Sequence, residues 1–98
     1  MSAQLHSVAD MDSYPVPFTI DRRRAPRYSL RNASLETVHW VRLDLTGSGV
    51  LRAPSPSRLR PGESLEFELR GEDLARDARL VVRWLRPNGE EYLWGVVF

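Results

Sequence analysis

Residues 64–70 read Ser-Leu-Glu-Phe-Glu-Leu-Arg and carry the clearest β-strand pattern in this chain. Leu65, Phe67 and Leu69 alternate with charged side chains, so an extended backbone places the three apolar groups on one face. Pro61-Gly62, a typical turn pair, precedes the run. The pattern predicts an antiparallel strand with one face against a core and the other towards solvent.

Shorter runs with strand character lie on both sides of this segment. Turn residues separate them, and the Asn88-Gly89 step suits a tight hairpin. Only residues 72–79 have the character of a helical turn, and a short connection fits them equally well. Further strands are predicted at residues 41–45, within a strand-like stretch that starts near Leu35, and at residues 50–51, 80–85 and 92–98.

Five or six short strands without a long helix predict an all-β fold. An open sheet leaves strand edges with unpaired backbone groups, and closing the sheet removes them. We therefore expect a small six-stranded antiparallel β-barrel. With 98 residues, the chain is long enough for one such domain and too short for a second core.

Residues 1–20 differ from the rest of the chain. They lack the apolar periodicity of a strand or a helix, and Pro15 and Pro17 favour extended backbone around Val16. We expect a flexible N-terminal arm over residues 1–20 and a folded domain over residues 21–98. The arm has no basic segment followed by an apolar run, so the sequence predicts neither a signal peptide nor a membrane anchor.

The composition narrows the functional classes. Hydrophobic residues make up 42% of the chain and charged residues 28%, which is typical of a globular protein. The chain has no cysteine, which excludes disulfides and thiolate chemistry, and a small domain without disulfides is expected in a reducing cytoplasm. His6 and His39 are isolated, and no nucleophile elbow or phosphate-binding glycine loop occurs. We therefore predict a protein that is not an enzyme and has no metal or cofactor.

Charge is segregated along the chain although its sum is small. Fourteen basic residues, all of them arginines, oppose thirteen acidic residues, for a net charge of +1. Residues 21–31 hold five arginines and one acid, whereas residues 63–77 hold six acids and two arginines. The small net charge and the acidic segment argue against a nucleic-acid partner.

The first candidate binding site is the arginine cluster Arg22-Arg23-Arg24-Ala25-Pro26-Arg27. Pro26 disfavours a helix, so we expect a loop. Arg23 and Arg27 present guanidinium forks that match phosphate oxygens or the O6/N7 edge of guanine, and their planar faces can stack on a purine. The alternative is a solvated basic arm that aids solubility.

The second candidate is the turn Asp44-Leu45-Thr46-Gly47-Ser48-Gly49. The Asp44 carboxylate can accept the N1 and N2 hydrogens of a guanine, and the Thr46 hydroxyl can add a further hydrogen bond. Gly49 lets the backbone approach a ligand closely. The alternative is ordinary turn chemistry, in which Asp and Thr cap the turn and the glycines supply positive φ.

Three motifs together resemble the PilZ domain family. They are Arg23-x-x-x-Arg27, Asp44-x-Thr46-x-x-Gly49 and Gly95-Val96-Val97-Phe98, in this order, and the resemblance covers residues 21–98. It implies a six-stranded barrel that serves as a bacterial signalling receptor and binds the second messenger cyclic di-GMP. The arginine loop would fold over the ligand, and the turn would form the other wall.

The resemblance also implies which residues bind the nucleotide. The two motif arginines are expected on phosphate and guanine, Asp44 and Thr46 on a guanine edge, and Gly49 keeps the turn open. Thr46 stands where the family has serine, which keeps the hydroxyl and adds a methyl group. Arg22 stands where an additional arginine in the family goes with binding of a stacked ligand dimer. The expected ligand-binding residues are Arg22, Arg23, Arg27, Asp44, Thr46 and Gly49.

Ligand binding is expected to order the arginine loop and to alter contacts with a downstream protein partner. Apolar residues near Trp94 and Phe98 are a second candidate surface, for a partner or a homodimer. Trp40, Trp84 and Trp94 lie in strand-like runs and are expected to pack in the core or at a barrel end. Two alternatives are open: a PilZ-like module that has lost its ligand and works through protein contacts, and a small RNA-binding barrel.

Overall fold

The computed structural model describes residues 5–7 and 14–98, and these residues form mostly β-strands. They contain nine strands and one helical turn, and no helix among them has the length and apolar character needed to cross a membrane. The strands are β1 (Leu5–Ser7), β2 (Phe18–Arg24), β3 (Arg27–Asn32), β4 (Val38–Gly47), β5 (Val50–Arg52), β6 (Ser57–Leu59), β7 (Ser64–Arg70), β8 (Ala78–Leu85) and β9 (Glu91–Val97). The helix α1 (Leu74–Asp77) lies between β7 and β8.

The strands form two sheets, and the predicted all-β fold is confirmed. The five-stranded sheet has the order β1-β9-β8-β4-β6, and the four-stranded sheet has the order β2-β3-β7-β5. Paired strands are antiparallel, except that β1 runs parallel to β9. The strands predicted from the sequence correspond to β4, β5, β7, β8 and β9, whereas β1, β2, β3 and β6 were not predicted.

The core lies between the two sheets, and alternate residues of β3, β7 and β8 point into it. In β7, Leu65, Phe67 and Leu69 are buried, as the alternation predicts. The β8 strand adds its own alternate residues to the same core, among them Val82 and Trp84. Burial of each such side chain stabilises the fold by about 1.5–3 kcal/mol.

The sheets do not close into the predicted six-stranded barrel. The edge strand β2 lies beside β9, which β1 pairs with only at residues 91–93, and β2 and β9 share no backbone ladder; we call this gap the β2–β9 seam. Side chains bridge it: the Phe18 and Trp94 rings stack with centroids 6.5 Å apart, and the Arg22 guanidinium donates a hydrogen bond to the Val97 carbonyl.

A second opening lies between the other two sheet edges, β5 and β6. These strands have three residues each and join different sheets. Pro54 and Pro56 lie between them and have no backbone donor for a ladder. The prediction of a closed barrel was therefore wrong, because it required continuous pairing through this proline-rich segment and across the β2–β9 seam.

Residues 14–20, which the sequence assigned to the arm, belong to the folded core. The side chains of Tyr14 and Phe18 are buried, and β2 begins at Phe18. Trp84 Nε1 donates a 3.1 Å hydrogen bond to the Tyr14 hydroxyl, and the Arg86 guanidinium lies 4.0 Å from the centre of the Tyr14 ring. The folded part thus begins before residue 21. Apart from β1, the rest of the predicted arm lies outside the described residues.

Asn32 is fully buried and ties the two sheets together. Its amide nitrogen donates hydrogen bonds to the carbonyl oxygens of Glu36 (2.9 Å) and Leu59 (3.0 Å). Its Oδ1 accepts hydrogen bonds from the backbone nitrogen and the hydroxyl of Ser34, at 2.9 and 2.7 Å. Because Asn32 ends β3 and Leu59 ends β6, this side chain bridges the opening between the sheets with its hydrogen-bonding capacity filled.

Replacing Asn32 with alanine should lower the free energy of unfolding by about 2–4 kcal/mol, because it leaves buried carbonyl groups without donors. Urea unfolding followed by circular dichroism measures this loss. Asn88→Ala, in an exposed turn, is the matched control and should cost less than about 1 kcal/mol. Equal losses in the two variants would show that Asn32 is not a structural anchor.

Candidate functional site

The arginine cluster forms a β-hairpin rather than the predicted loop. Arg24 pairs with Arg27 across the Ala25–Pro26 turn, and Asp21 pairs with Ser29. Between these two pairs β2 has one more residue than β3, which is a β-bulge. The turn joins β3, which buries alternate residues, to β2, whose inward side chains Phe18 and Ile20 pack on the core before an exposed run of arginines that hid the strand in the sequence. We call residues 22–27 the arginine hairpin.

The second motif lies where the sequence predicted it, at the end of β4. Gly47 and Gly49 both have positive φ, +87° and +118°, so the turn needs glycine at these positions. The Thr46 hydroxyl donates a 3.2 Å hydrogen bond to the Arg79 carbonyl oxygen, and the Ser48 amide donates one of 2.9 Å to the Asp77 carbonyl oxygen. The turn is therefore fixed against the start of β8.

The two motifs lie at the same end of the molecule, on either side of the segment that joins β7 to α1. The Leu69 amide donates a 2.9 Å hydrogen bond to the Pro26 carbonyl oxygen, which fixes the tip of the arginine hairpin to β7. Next along the chain, the Arg70 carbonyl oxygen lies 3.0 Å from the position of a Cβ on Gly49, and Gly71 also lies against Gly49. A few residues of chain therefore separate the hairpin tip from the turn.

Asp44 and Thr46 belong to two rows of outward-facing residues on the five-stranded sheet. Asp44 is in register with Val81 and Gly95, so the next outward row contains Thr46 and its partners on β8 and β9. The row between them faces inward, as the burial of Leu80 shows. A Cβ built on Gly95 meets no atom within 4 Å. The surface beside Asp44 is thus flat and open.

Arg79 is a candidate residue that sequence reasoning missed. It lies between Thr46 and Val97 in the second row, and it is exposed. Its guanidinium forms no salt bridge or side-chain hydrogen bond with another described residue. The register of β4, β8 and β9 places Arg79 beside Thr46, and this register could not be predicted from the strand patterns in the sequence.

Of the predicted arginines, Arg22 reaches the five-stranded sheet. Its Nη1 donates a 3.1 Å hydrogen bond to the Val97 carbonyl oxygen, and its guanidinium lies 4.8 Å from the centre of the Phe98 ring. Val97 is two strands away from Thr46, which corresponds to roughly 10 Å at normal strand spacing. Arg22 and Thr46 are thus neighbours on one surface.

Arg23 and Arg27 lie on the other sheet. Arg27 pairs with Glu68 on the outer face of the four-stranded sheet, and Arg23 is exposed on the same side. No described contact joins either arginine to Asp44. A depression of about 260 Å³ lies beside these arginines, and its lining residues are Asp21, Arg23, Arg24, Arg27, Tyr28, Ser29 and Glu66.

One charged residue in each half of the predicted site, Arg23 and Asp44, already forms an ion pair within the chain. Arg23 Nη2 lies 2.8 Å from Asp21 Oδ2, and Arg42 Nη2 lies 3.1 Å from Asp44 Oδ2. In each pair the partners are two residues apart on one strand, where side chains share a face. The hydrogen bonds from Arg23 hold the pKa of Asp21 well below its usual value. A ligand would have to exchange these ion pairs.

The tryptophans divide in a way the sequence did not predict. Trp84 is buried and Trp94 is partly buried against the core, as expected, but Trp40 is 61% exposed. Trp40 lies at a bulge in β4 and has a φ of +53°, which interrupts the alternation of inward and outward side chains. Phe98 is also partly buried against the core, whereas Val97 beside it is exposed, so the apolar surface predicted near Trp94 and Phe98 stays a prediction.

Among residues 5–7 and 14–98, no group of three or more His, Asp or Glu side chains is placed to hold a metal ion. Comparison with protein-family models, with curated proteins and with solved structures found no match to this chain.

Gly47→Ala should lower the free energy of unfolding by at least about 2 kcal/mol, because a Cβ at that position would collide with the Asp77 carbonyl group at a positive φ. Gly95→Ala should leave stability within about 0.5 kcal/mol, since open space surrounds the added methyl group. Thermal unfolding of the two variants makes the comparison. If Gly47→Ala is as stable as the wild type, the turn geometry described for Gly47 is wrong.

Proposed function

We propose that this chain is a PilZ-like, non-enzymatic receptor for cyclic di-GMP, and that the nucleotide binds at the end where the arginine hairpin and the Asp44–Gly49 turn meet. The observation that carries the proposal is that both motifs flank the segment between β7 and α1, with Arg22 already on the surface shared with Thr46. Groups of opposite polarity, far apart in sequence, therefore lie at one end of the fold.

The chemistry of these groups matches different parts of a guanine dinucleotide. Guanidinium groups donate to phosphate oxygens and to the O6/N7 edge of guanine. The Asp44 carboxylate accepts hydrogens from the opposite edge of the base. The flat surface at Gly95, in register with Asp44, offers room for a planar purine. Arg79 adds a guanidinium to this surface and is proposed as a further phosphate contact.

Binding in this mode requires the hairpin arginines to turn towards the β2–β9 seam. Arg23 and Arg27 start on the outer face of the four-stranded sheet, and their long side chains carry the charge some distance from the backbone. The ion pairs that hold Arg23 and Asp44 are exposed, and exposed pairs are exchanged at small cost. Reorientation of the hairpin changes the exposed surface, and through it the affinity for a downstream protein partner of a bacterial signalling pathway.

The same ion pairs favour a second candidate function, a PilZ-like module that works through protein contacts without a ligand. In this alternative, the pairs Arg23–Asp21 and Arg42–Asp44 persist as the functional state. The two functions are distinguished by a titration of the folded wild-type protein, because the second predicts no binding even at millimolar cyclic di-GMP.

Arg27→Ala and Asp44→Ala should each weaken cyclic di-GMP binding tenfold or more, since a lost charge-assisted hydrogen bond costs about 1.5–3 kcal/mol. Calorimetric titration measures the affinities. Arg58→Ala is the matched control, because Arg58 lies in β6, which pairs with the first half of β4, and its affinity should stay within about twofold of wild type. Unchanged affinity in both site variants would remove the assignment of the site.

Gly95→Ala tests the flat surface separately from the charges. A methyl group there should weaken cyclic di-GMP binding about tenfold or more by blocking the base, while the stability of the protein is unaffected. Calorimetry and thermal unfolding on the same sample separate the two effects. Wild-type affinity in this variant would exclude the surface beside Asp44 as the purine site.

A further inference from the structure

We propose that Asp21 is an internal competitor for Arg23 and thereby sets the affinity of the site for an anionic ligand. This inference rests on the proposed function. Asp21 Oδ1 accepts hydrogen bonds from the backbone nitrogen and Nε of Arg23, both at 3.0 Å, and Asp21 Oδ2 accepts one from Nη2 at 2.8 Å. The carboxylate therefore occupies the side of the guanidinium that presents Nε and Nη2 in parallel.

A phosphate group that binds Arg23 side-on, through Nε and Nη2, needs the side of the guanidinium that Asp21 occupies. Bidentate recognition of phosphate uses two parallel N–H groups of the guanidinium, which is the geometry that Asp21 already occupies. Arg24 and Arg27, in contrast, form no salt bridge or side-chain hydrogen bond with another described residue. Of the two motif arginines, Arg23 and Arg27, Arg23 is thus the one that must give up an ion pair before it binds the ligand.

The position of Asp21 also decides where Arg23 points. Asp21 faces the outer side of the four-stranded sheet, in register with Ser29 and, one strand further, with Glu66. The ion pair holds Arg23 on that side, whereas Arg22 extends to the β2–β9 seam and Val97. Freeing Arg23 from Asp21 removes the contact that holds its guanidinium on the outer side of the four-stranded sheet.

Glu66 provides a matched control for the loss of charge. It lines the same depression as Asp21 and the arginines, carries the same charge, and forms no salt bridge with another described residue. Asp21→Asn and Glu66→Gln therefore remove the same charge from the same surface, but only the first frees the Arg23 guanidinium.

The test is calorimetric titration of cyclic di-GMP into the wild type, Asp21→Asn and Glu66→Gln. Asp21→Asn should bind about three- to tenfold more tightly than the wild type, and Glu66→Gln within about twofold of it, because an exposed ion pair competes only modestly with a ligand. Equal gains in affinity in the two variants would mean that the loss of any nearby negative charge strengthens binding, and this result would overturn the inference. Unchanged binding by Asp21→Asn would mean that the ion pair does not compete with the ligand, and weaker binding would mean that Asp21 positions Arg23 for the ligand. Either result would overturn the inference.

A second probe keeps the inference separate from the proposed function. If the wild type does not bind cyclic di-GMP, the proposed function fails, and inorganic pyrophosphate titrated against the Arg23 Nε–Hε signal in NMR spectra then decides the role of Asp21. A shift of that signal at lower pyrophosphate concentration in Asp21→Asn than in the wild type and Glu66→Gln supports competition. The same concentration dependence in all three proteins overturns it.

Discussion

The fold depends on the packing of Trp84 between the two sheets. Its ring meets Phe18 of β2 edge-on at 5.0 Å and stacks on Tyr92 of β9 at 5.9 Å, and its Nε1 donates a hydrogen bond to Tyr14. These contacts join β2 to β9, two strands that share no backbone ladder. At this seam side-chain packing therefore holds together two strands that backbone hydrogen bonds would join in a closed barrel. The Val97 carbonyl group is not used in such a ladder and accepts a hydrogen bond from Arg22.

The sequence predicted the strands whose alternation is regular and failed where another feature hid it. The β7 strand was identified from Leu65, Phe67 and Leu69 because inward and outward residues differ in polarity at every position. In contrast, prolines alternate with Tyr14, Val16 and Phe18, and the extended backbone that they favour was interpreted as a sign of a flexible arm. Extended backbone packs equally well on a core, as these residues do. Closure of the barrel could not be decided from local patterns, because it depends on which sheet each short strand joins.

The candidate site was predicted as a set of residues but not as an arrangement. The turn at Gly47 and Gly49 was located correctly, since positive φ restricts such positions to glycine in most cases. The ion pair between Arg42 and Asp44 follows from their spacing on a strand, whereas that between Asp21 and Arg23 was hidden because the segment was interpreted as a loop. The sheet to which each arginine belongs depends on the pairing of strands that are distant in sequence. The spacing of the motifs does not show this pairing.

Two β-bulges determine how the polar and aromatic side chains of this fold are presented. The bulge in β2 lies between the Asp21–Ser29 and Arg24–Arg27 pairs, in the segment that carries Arg22 and Arg23, and Trp40 lies exposed at the bulge in β4 with a positive φ. An extra residue shifts the alternation of inward and outward side chains, so residues beyond each bulge face the opposite side from the one that regular alternation would give them. A backbone that stores strain at Trp40 is retained only if the surrounding ladder enforces it, and β8 supplies that ladder on both sides of the bulge. The regular strands thus provide stability, and the irregular positions determine which polar and aromatic groups are exposed beside them.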